Sequence, residues 1–394
     1  MRRFKKLFFP MLCLVFMSSC RSKGDSTISR LDSYIDSIVK PVMDEFNIPG
    51  LSIGVTVDGE HTFFNYGVAS METEKEVSST TLFELGSISK TFTATLASLS
   101  QEQGKLDLRD PVSKYMPELH NMALDKVKLY HLATHTAGGF GLQLPDEVKD
   151  EEQMLQFYRN WVPDYPFGTK RKYTNPGIGL LGLVVGRSLN QPFVAAMNEH
   201  VFSKLNLNNT FYNIPIAFIE RYAQGYNKAG EPVRLNPQVL SNQTFGAKSS
   251  TADMLKFIDA NMGISETNTE LSAALINTHQ GYFKTSTAMT QDLIWEQYPY
   301  PISLEQLQKG NSNDMRYKPN PVREIYPVQQ PRKNVLLNKT GTTNGFGSYV
   351  MYIPSKKIGI IILANKNYPS SARIDMAYNI ISYIAEAKKE LLKQ

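Results

Sequence analysis

Three short motifs along this chain could together carry out acyl transfer to a serine hydroxyl. They are S-x-x-K at residues 87–90, Y-x-N at residues 173–175 and K-T-G at residues 339–341. In the first motif, the lysine lies one helical turn from the serine on the same face, so the Lys90 amine can reach the Ser87 hydroxyl. An apolar helical segment follows, and its N-terminus favours the negative charge that forms when a serine attacks a carbonyl. The pattern predicts that Ser87 is a nucleophile.

A second S-x-x-K string, at residues 37–40, differs from the first in its context. It lies inside a predicted helix, is followed by Pro41, and has no partner motif at a sensible distance. Chance alone produces about as many matches, so the string counts only where other features support it. We therefore expect Ser37 to be inert.

Other motifs that would indicate a different chemistry are missing or lie in the wrong context. The chain has no G-x-x-x-x-G-K-[ST] phosphate loop. Its one G-x-S-x-G string, at residues 50–54, lies in a predicted strand and not at the strand-to-helix turn of a nucleophile elbow. His131 and His135 are four residues apart, but the segment HLATH lacks the glutamate of H-E-x-x-H and has no further ligand nearby. We predict neither a metal site nor a cofactor.

The elements that must position the motifs lie largely at the two ends of the chain. Apolar residues recur at helical spacing over residues 31–46, and a β-hairpin is predicted at residues 51–57 and 61–68. Residues 88–103 form a predicted helix that ends at Gly104. Near the C-terminus, strands are predicted at residues 348–353 and 358–363, followed by an amphipathic helix.

These predictions give a mixed α/β (α+β) class. One antiparallel sheet is built from both chain ends and flanked by helices, and a mostly helical lobe is inserted at roughly residues 105–225. Residues 264–330 are polar and proline-bearing with weak periodicity, and they receive no assignment. We expect a linker over residues 20–27 and a single catalytic domain over residues 28–394.

Composition and charge exclude several classes of protein. The 394 residues are 42% hydrophobic, with 20 Phe, 20 Tyr and 2 Trp, so a disordered or collagen-like chain is excluded. The formal net charge is +5, but residues 1–19 carry four of these positive charges and no acid, which leaves +1. Nucleic acid is therefore not expected as a partner.

The first twenty residues are predicted to be an export signal. A basic start is followed by an apolar run too short to span a bilayer, which ends in Ser18-Ser19-Cys20. This resembles a bacterial lipoprotein signal, although Met17 replaces the usual Leu or Val, and it implies a periplasmic chain anchored by lipid on Cys20. An ordinary secretory signal is the alternative. The only cysteines are Cys13 and Cys20, so the mature chain forms no internal disulfide.

The three motifs in this order resemble the serine penicillin-recognising enzymes, specifically the class C β-lactamases (cephalosporinases). The similarity covers nearly the whole mature chain, and it is most extensive in KTGTTNGFGSYVMYIPSKKIGIIILANKNYP at residues 339–369. HLATHTAGGFGLQLPDEV, RKYTNPGIGLLG and FGAKSS are also similar. The resemblance implies a β-lactamase/transpeptidase-like fold and hydrolysis of cephalosporins and penicillins through an acyl-enzyme on Ser87.

The roles of the other site residues come from chemistry and from this resemblance. Serine needs a base to take its proton, and either Lys90 or Tyr173 could do so, since flanking Lys90 and Lys339 would lower the pKa of the phenol. The family implies that Tyr173 also activates the deacylating water, and that backbone N–H groups of Ser87 and Thr342 form the oxyanion hole. It further implies a substrate-binding set. This set is Gln143 and Asn175 for the side-chain amide, Lys339, Thr340 and Arg373 for the carboxylate, and in addition Gly341 and Phe245.

Two positions depart from the family pattern, and two alternative functions stay open. Phe245 stands where a tyrosine is usual, and Ser370 where an asparagine is usual. Both changes bear on substrate preference and neither removes a catalytic group. The alternatives are a D-alanyl-D-alanine carboxypeptidase or esterase of the same fold, and a penicillin-binding sensor that stays acylated. We expect a monomer whose partner is a small β-lactam.

Overall fold

The computed structural model describes residues 23–120, 123–265 and 267–391. The predicted signal over residues 1–19 and the predicted lipidation site Cys20 lie outside the described residues. Within the described part, no single helix is long and apolar enough to cross a membrane. The bent pair Asn175–Ser188 and Phe193–Phe202 would pass that test by length and composition alone, but most of its first helix is buried in the core.

Helices fall before, between and after the strands. The α-helices are α1 (Lys23–Phe46), α2 (Ser89–Glu102), α3 (Leu129–Ala133), α4 (Glu151–Asn160), α5 (Asn175–Ser188), α6 (Phe193–Met197), α7 (Ser241–Thr244), α8 (Thr251–Asn261), α9 (Thr269–Asn277), α10 (Leu304–Gly310), α11 (Asn313–Tyr317) and α12 (Ser370–Leu391). Helix α2 agrees with the predicted helix, and Gly104 just beyond it has φ +65°, which suits a glycine stop.

Ten of the fourteen strands in the described residues form one sheet. The strands are β1 (Gly50–Val57), β2 (Glu60–Gly67), β3 (Phe83–Glu84), β4 (Lys170–Arg171), β5 (Gly225–Tyr226), β6 (Pro232–Val233), β7 (Lys248–Ser249), β8 (Gly281–Thr285), β9 (Thr290–Gln291), β10 (Glu296–Pro299), β11 (Asn320–Gln329), β12 (Val335–Thr342), β13 (Gly347–Ile353) and β14 (Ile358–Ala364). The large sheet has the order β2-β1-β14-β13-β12-β10-β9-β8-β11-β4, and its paired strands are antiparallel.

The sheet joins the two ends of the chain, as predicted. Strand β1 pairs with β2 on one side and with β14 on the other, where Ile53 lies opposite Ile362. The apolar run of β14 is covered on both faces. Ile360 and Ile362 pack with residues of α1 and α12, whereas Ile361 and Leu363 belong to the core shared with α2 and α8. This is why the strand lacks the polar alternation of a half-exposed sheet.

Residues 264–330, which received no assignment, supply the other half of the sheet. Strands β8, β9 and β10 are only two to five residues long, and they pair in sequence between β11 and β12. Short strands of this kind depend on their neighbours for stability, and their sequence carries little periodicity of its own. This half of the sheet matters for function because β10 brings Glu296 to within 4.0 Å of the Lys339 Nζ on β12.

Candidate active site

Two glycines bring the start of helix α2 against strand β12. Gly86 has φ +53°, a backbone conformation that favours glycine, and a Cβ there would lie 2.5 Å from the Thr342 nitrogen. A Cβ on Gly341 would lie 2.0 Å from the Leu85 carbonyl oxygen. No other residue fits at either position, so the backbone leading into Ser87 runs directly beside K-T-G.

The same close approach bears on the predicted oxyanion hole. Ser87 follows Gly86 in a 3-10 turn, Gly86–Ile88, that leads into α2. The Ser348 hydroxyl, from β13, donates to the Leu85 carbonyl at 2.7 Å and ties the turn to the sheet. The backbones of Ser87 and Thr342 are therefore neighbours, as a pair of converging N–H donors requires. Their role in catalysis stays a prediction.

Lys90 is fully buried beneath the nucleophile. Its Nζ donates to Ser87 Oγ at 3.0 Å and to the Thr244 carbonyl oxygen at 2.9 Å. Thr93, one turn further along α2, donates to the Gln243 carbonyl at 2.7 Å, so α2 and α7 are held together at this point. Burial lowers the pKa of Lys90 to about 8, and the positive charge of Lys339 acts in the same direction. About a tenth of this amine is therefore deprotonated at pH 7 and able to accept a proton.

Tyr173 lies among three cations. The Nζ atoms of Lys90 and Lys339 are 5.2 and 5.1 Å from the centre of its ring, and the Arg171 guanidinium carbon is at 5.8 Å. Burial by itself raises the pKa of the phenol, but the charges of Lys339 and Lys90 outweigh it and lower the pKa to about 7. No described residue completes a well-oriented hydrogen bond with the hydroxyl. The Tyr173 oxygen is thus free to exchange a proton with a substrate or a water.

His135 packs its ring against the ring of Tyr173. The sequence did not indicate this contact. The two rings are 4.3 Å apart, and His135 is buried with φ +61°. Its Nδ1 accepts from the Thr174 backbone N–H at 3.3 Å, which fixes the ring. Burial, followed by the charge of Arg171, lowers the pKa of His135 well below its usual range, so the imidazole is neutral.

The buried carboxylate of Glu296 lies beside two of these cations, Arg171 and Lys339. The sequence did not indicate this residue either. Glu296 Oε1 accepts from the Arg171 guanidinium at 2.9 Å and lies 4.0 Å from the Lys339 Nζ. All three side chains are buried, and Arg171 is held further by Gln291 at 2.6 Å. Glu296 lies on β10, inside the unassigned stretch. A glutamate on a weakly patterned segment is indistinguishable from a surface residue, so the sequence contained no usable signal.

The groove beside Ser87 brings together most of the predicted substrate-binding residues. It encloses about 830 Å³ and is lined by Ser87, Tyr173, Gln143, Asn175, Phe245, Thr342 and Arg373, among others. Asn175 Nδ2 donates to Gln143 Oε1 at 2.7 Å, while Asn175 Oδ1 is buried and unpaired among the described residues. This amide oxygen is oriented by its neighbour and available to an N–H donor on a ligand.

Lys339 and Thr340 line a smaller cavity that also contains Ser87 and Tyr173. Lys339 Nζ donates to the Thr340 carbonyl at 3.1 Å. Gly341 is covered by Leu85 and Ser348 and serves the close packing described above. Arg373 is also buried, and its hydrogen bonds go to protein oxygens.

Comparison with known proteins decides the family. The β-lactamase family model matches residues 35–384. A β-lactamase of Lysobacter lactamgenus is 44% identical over 374 residues, which cover 94% of this chain and 96% of the relative.

The chain belongs to the β-lactamase family.

Solved structures agree and narrow the relationship to class C. A class C β-lactamase crystallised with cefoxitin has a TM-score of 0.88 at 42% identity, covering 90% of this chain and 99% of that one. A structure from Pseudomonas syringae described as a β-lactamase/D-alanine carboxypeptidase has a TM-score of 0.88 at 48% identity, with the same coverage. The predicted family and fold are confirmed: this β-lactamase family member has the architecture of class C enzymes.

Proposed function

We propose that this chain is a serine β-lactamase that opens the lactam amide through an acyl-enzyme on Ser87. The observation that carries the proposal is the contact between the buried Lys90 amine and Ser87 Oγ, at 3.0 Å, in a groove shared with Tyr173 and Lys339. Membership of the family supports the same reaction.

In the acylation step, Ser87 Oγ attacks the lactam carbonyl carbon. A bond forms between them, the carbon–nitrogen bond breaks, and the serine proton ends on the departing nitrogen. Neutral Lys90 or the Tyr173 phenolate can carry that proton, because their pKa values of about 8 and about 7 leave both partly deprotonated near neutral pH. The N–H groups of Ser87 and Thr342 are proposed to stabilise the oxyanion.

In the deacylation step, a water molecule attacks the ester carbon and the bond to Ser87 Oγ breaks. We assign activation of this water to Tyr173. The charges of Lys339 and Lys90 stabilise its phenolate, and the Ser87 hydroxyl lies close enough to the phenol oxygen to act in the same direction. The serine regains its proton, so the enzyme returns to its starting state.

The groove also suits the other parts of a β-lactam. The unpaired Asn175 oxygen and the Gln143 amide are proposed to bind the side-chain amide, with the Phe245 ring beside them. Lys339 and Thr340, which line the smaller cavity, are proposed to bind the carboxylate of the substrate. Phe245 can pack against the ligand but cannot donate the hydrogen bond of a tyrosine, so it bears on substrate preference.

The experiment combines turnover with mass measurement. The purified protein is mixed with a chromogenic cephalosporin in excess, and product is counted per enzyme while intact mass is recorded. Many turnovers with a short-lived adduct support the hydrolase. A single stoichiometric burst that leaves a persistent adduct would instead support the penicillin-binding sensor.

A D-alanyl-D-alanine carboxypeptidase is the second candidate function. It is favoured by the Pseudomonas syringae structure, whose description includes D-alanine carboxypeptidase. The same serine chemistry can cleave a peptide amide, since both reactions pass through an acyl-enzyme. Release of free D-alanine from a peptide ending in D-alanyl-D-alanine measures this activity. A kcat/KM above that for cephalosporins would make it the main function.

We also propose that the exported chain works in the periplasm as a monomer and carries lipid on Cys20. The basic and apolar start of the sequence ending at that cysteine supports this. Several acyl chains on one cysteine would anchor it firmly, since each buried CH₂ contributes about 0.8 kcal/mol. Membrane fractionation of wild type against Cys20→Ser is the test. A wild-type protein that is soluble with an unmodified N-terminus would favour the ordinary secretory signal.

A further inference from the structure

The Arg373 guanidinium is already occupied by protein oxygens. Its two terminal nitrogens donate to the carbonyls of Gly341, Ser348 and Tyr368 and to the hydroxyls of Thr342 and Ser370, at 2.5 to 3.1 Å. The Nε donates to the Pro369 carbonyl at 3.4 Å. The side chain is buried, so every nitrogen has a partner before a ligand arrives. Arg373 holds β12, β13 and the start of α12 together.

Arg316 is the opposite case. It lies on α11 and lines both the main groove and the smaller cavity that contains Ser87, Lys339 and Thr340. Within the described residues, its guanidinium forms no ion pair and no hydrogen bond, and its one contact of note is with the Tyr317 ring at 5.2 Å. Its donors are therefore available to a ligand.

The position of Arg316 is fixed by the charge network under the active site. The Arg171 guanidinium donates to the carbonyl of Met315, the residue just before Arg316, at 2.8 Å. Met315 is itself buried, and the Ser312 hydroxyl caps the short helix. The same arginine that pairs with Glu296 thus anchors the backbone that presents Arg316.

The charge of Arg316 acts on Lys90, which contacts the nucleophile, and on Arg373. It contributes to lowering the pKa of Lys90 and that of Arg373, although burial is the largest cause for each. Among the described residues, the lining of the smaller cavity includes three basic side chains, Arg171, Lys339 and Arg316, and one carboxylate, that of Glu296. An excess of positive charge favours an anionic ligand group at this place.

We propose that Arg316 binds the carboxylate of the substrate, together with Lys339 and Thr340, and that Arg373 has a structural role. Ser370 has a short side chain that is hydrogen-bonded to Arg373. It lines the same two cavities as Arg316, so a substrate carboxylate has room beside Ser370 within reach of these cavities. A guanidinium can grip a carboxylate through two parallel hydrogen bonds. The proposal refines the proposed function and rests on it.

The test compares one cephalosporin as the free acid and as its methyl ester. In Arg316→Gln, we expect kcat/KM for the acid to fall by about 10- to 100-fold, the range for a lost charge-assisted hydrogen bond. The ester should change by less than about twofold, because it carries no charge for Arg316 to bind. A misfolded variant would lose both activities together, so the ratio of acid to ester is the readout.

Two further variants sharpen the comparison. Arg316→Lys should recover part of the preference for the acid, since it restores the charge without the paired donors. Lys318→Ala is the matched control, because Lys318 is an exposed cation two residues away, paired with Asp314 and outside both cavities. It should leave the acid-to-ester ratio unchanged.

The outcomes separate this inference from the proposed function. In an Arg316→Gln protein whose circular dichroism and urea unfolding match wild type, an equal fall for acid and ester, or no fall for either, would overturn the role of Arg316. The same change in Lys318→Ala would also overturn it. A wild-type protein that neither hydrolyses nor is acylated by the free acid would overturn the proposed function itself. If wild type is acylated without turnover, the same comparison is made on the acylation rate.

Discussion

The two S-x-x-K strings of this chain have similar residues and opposite surroundings. On α1, the Ser37 hydroxyl donates back to the Tyr34 carbonyl at 2.7 Å, within its own helix. Lys40 pairs with Asp36 at 2.6 Å, one turn away, and its side chain is 62% exposed. Ser37 and Lys40 are therefore each bonded within α1 and not to one another.

At the start of α2 the same residue types contact each other. Lys90 is fully buried, donates to Ser87, and has no carboxylate bonded to it among the described residues. Burial lowers the pKa of Lys90 to about 8. The comparison shows that an S-x-x-K sequence does not by itself make its serine reactive. The reactivity comes from the burial of the amine and from the cations around it.

The largest expected difference between the two strings is in the nucleophile. Ser87→Ala should lower cephalosporin hydrolysis by about 10⁴-fold or more, because no acyl-enzyme can form. Ser37→Ala should match wild type, since its hydroxyl only bonds its own helix. Steady-state rates of both variants against wild type are the measurement. A Ser87→Ala protein with wild-type rate, or a Ser37→Ala protein without activity, would reverse the assignment.

Tyr173 is the next largest effect. Tyr173→Phe keeps the ring among its cations but removes the proton-carrying oxygen, so hydrolysis should slow by about 10²- to 10⁴-fold. If Tyr173 acts on the deacylating water, the acyl-enzyme should also accumulate in this variant. Tyr34→Phe, on the helix that carries the inert string, is the control for loss of a phenol. Retention of the wild-type rate by Tyr173→Phe would exclude it as a base.

The ion pairs near the two strings should differ in their contribution to stability. Glu296→Gln leaves Arg171 buried without its carboxylate and should lower the free energy of unfolding by about 3 kcal/mol. Asp36→Asn removes an exposed pair one turn apart and should cost about 0.3–0.5 kcal/mol. Urea unfolding of both variants gives the two values. Equal values would mean that burial does not set the strength of these pairs.

The smallest expected effect is a change in pH dependence. Deprotonated Lys90 or Tyr173 is the base, so kcat/KM should fall as the pH drops through about 8 to about 7, a limb that belongs to the coupled pair. Lys339 lowers the pKa of both groups, so Lys339→Gln should move the limb to higher pH. Lys40→Gln should leave it in place. A limb that stays in place in Lys339→Gln would contradict the electrostatic account.

Much of this arrangement could be predicted from the sequence, for identifiable reasons. The three motifs fall in a fixed order, and Gly86 and the apolar helix after it distinguish Ser87 from Ser37. The run at Ile360–Leu363 predicted a strand covered on both faces, and the sheet joins both chain ends as expected. These features are local or have a strong periodicity.

The residues that were missed depend on contacts between distant parts of the chain. Arg171 and Glu296 are 125 positions apart and meet only once the short strands of residues 281–299 have paired. His135 reaches Tyr173 through a positive φ in a loop. Arg316 lies in a stretch without clear periodicity. None of these contacts has a pattern in sequence, because each is a consequence of the tertiary fold.

The central claim is that Ser87, activated by a buried amine, carries a transient acyl group. The most direct measurement quenches wild type during steady-state turnover of a cephalosporin, records the intact mass, and maps the adduct by peptide digestion. The account predicts one acyl group per chain, located on the peptide that contains Ser87, which disappears once the substrate is exhausted. An adduct on the peptide that contains Ser37, or turnover with no adduct even in Tyr173→Phe, would contradict it.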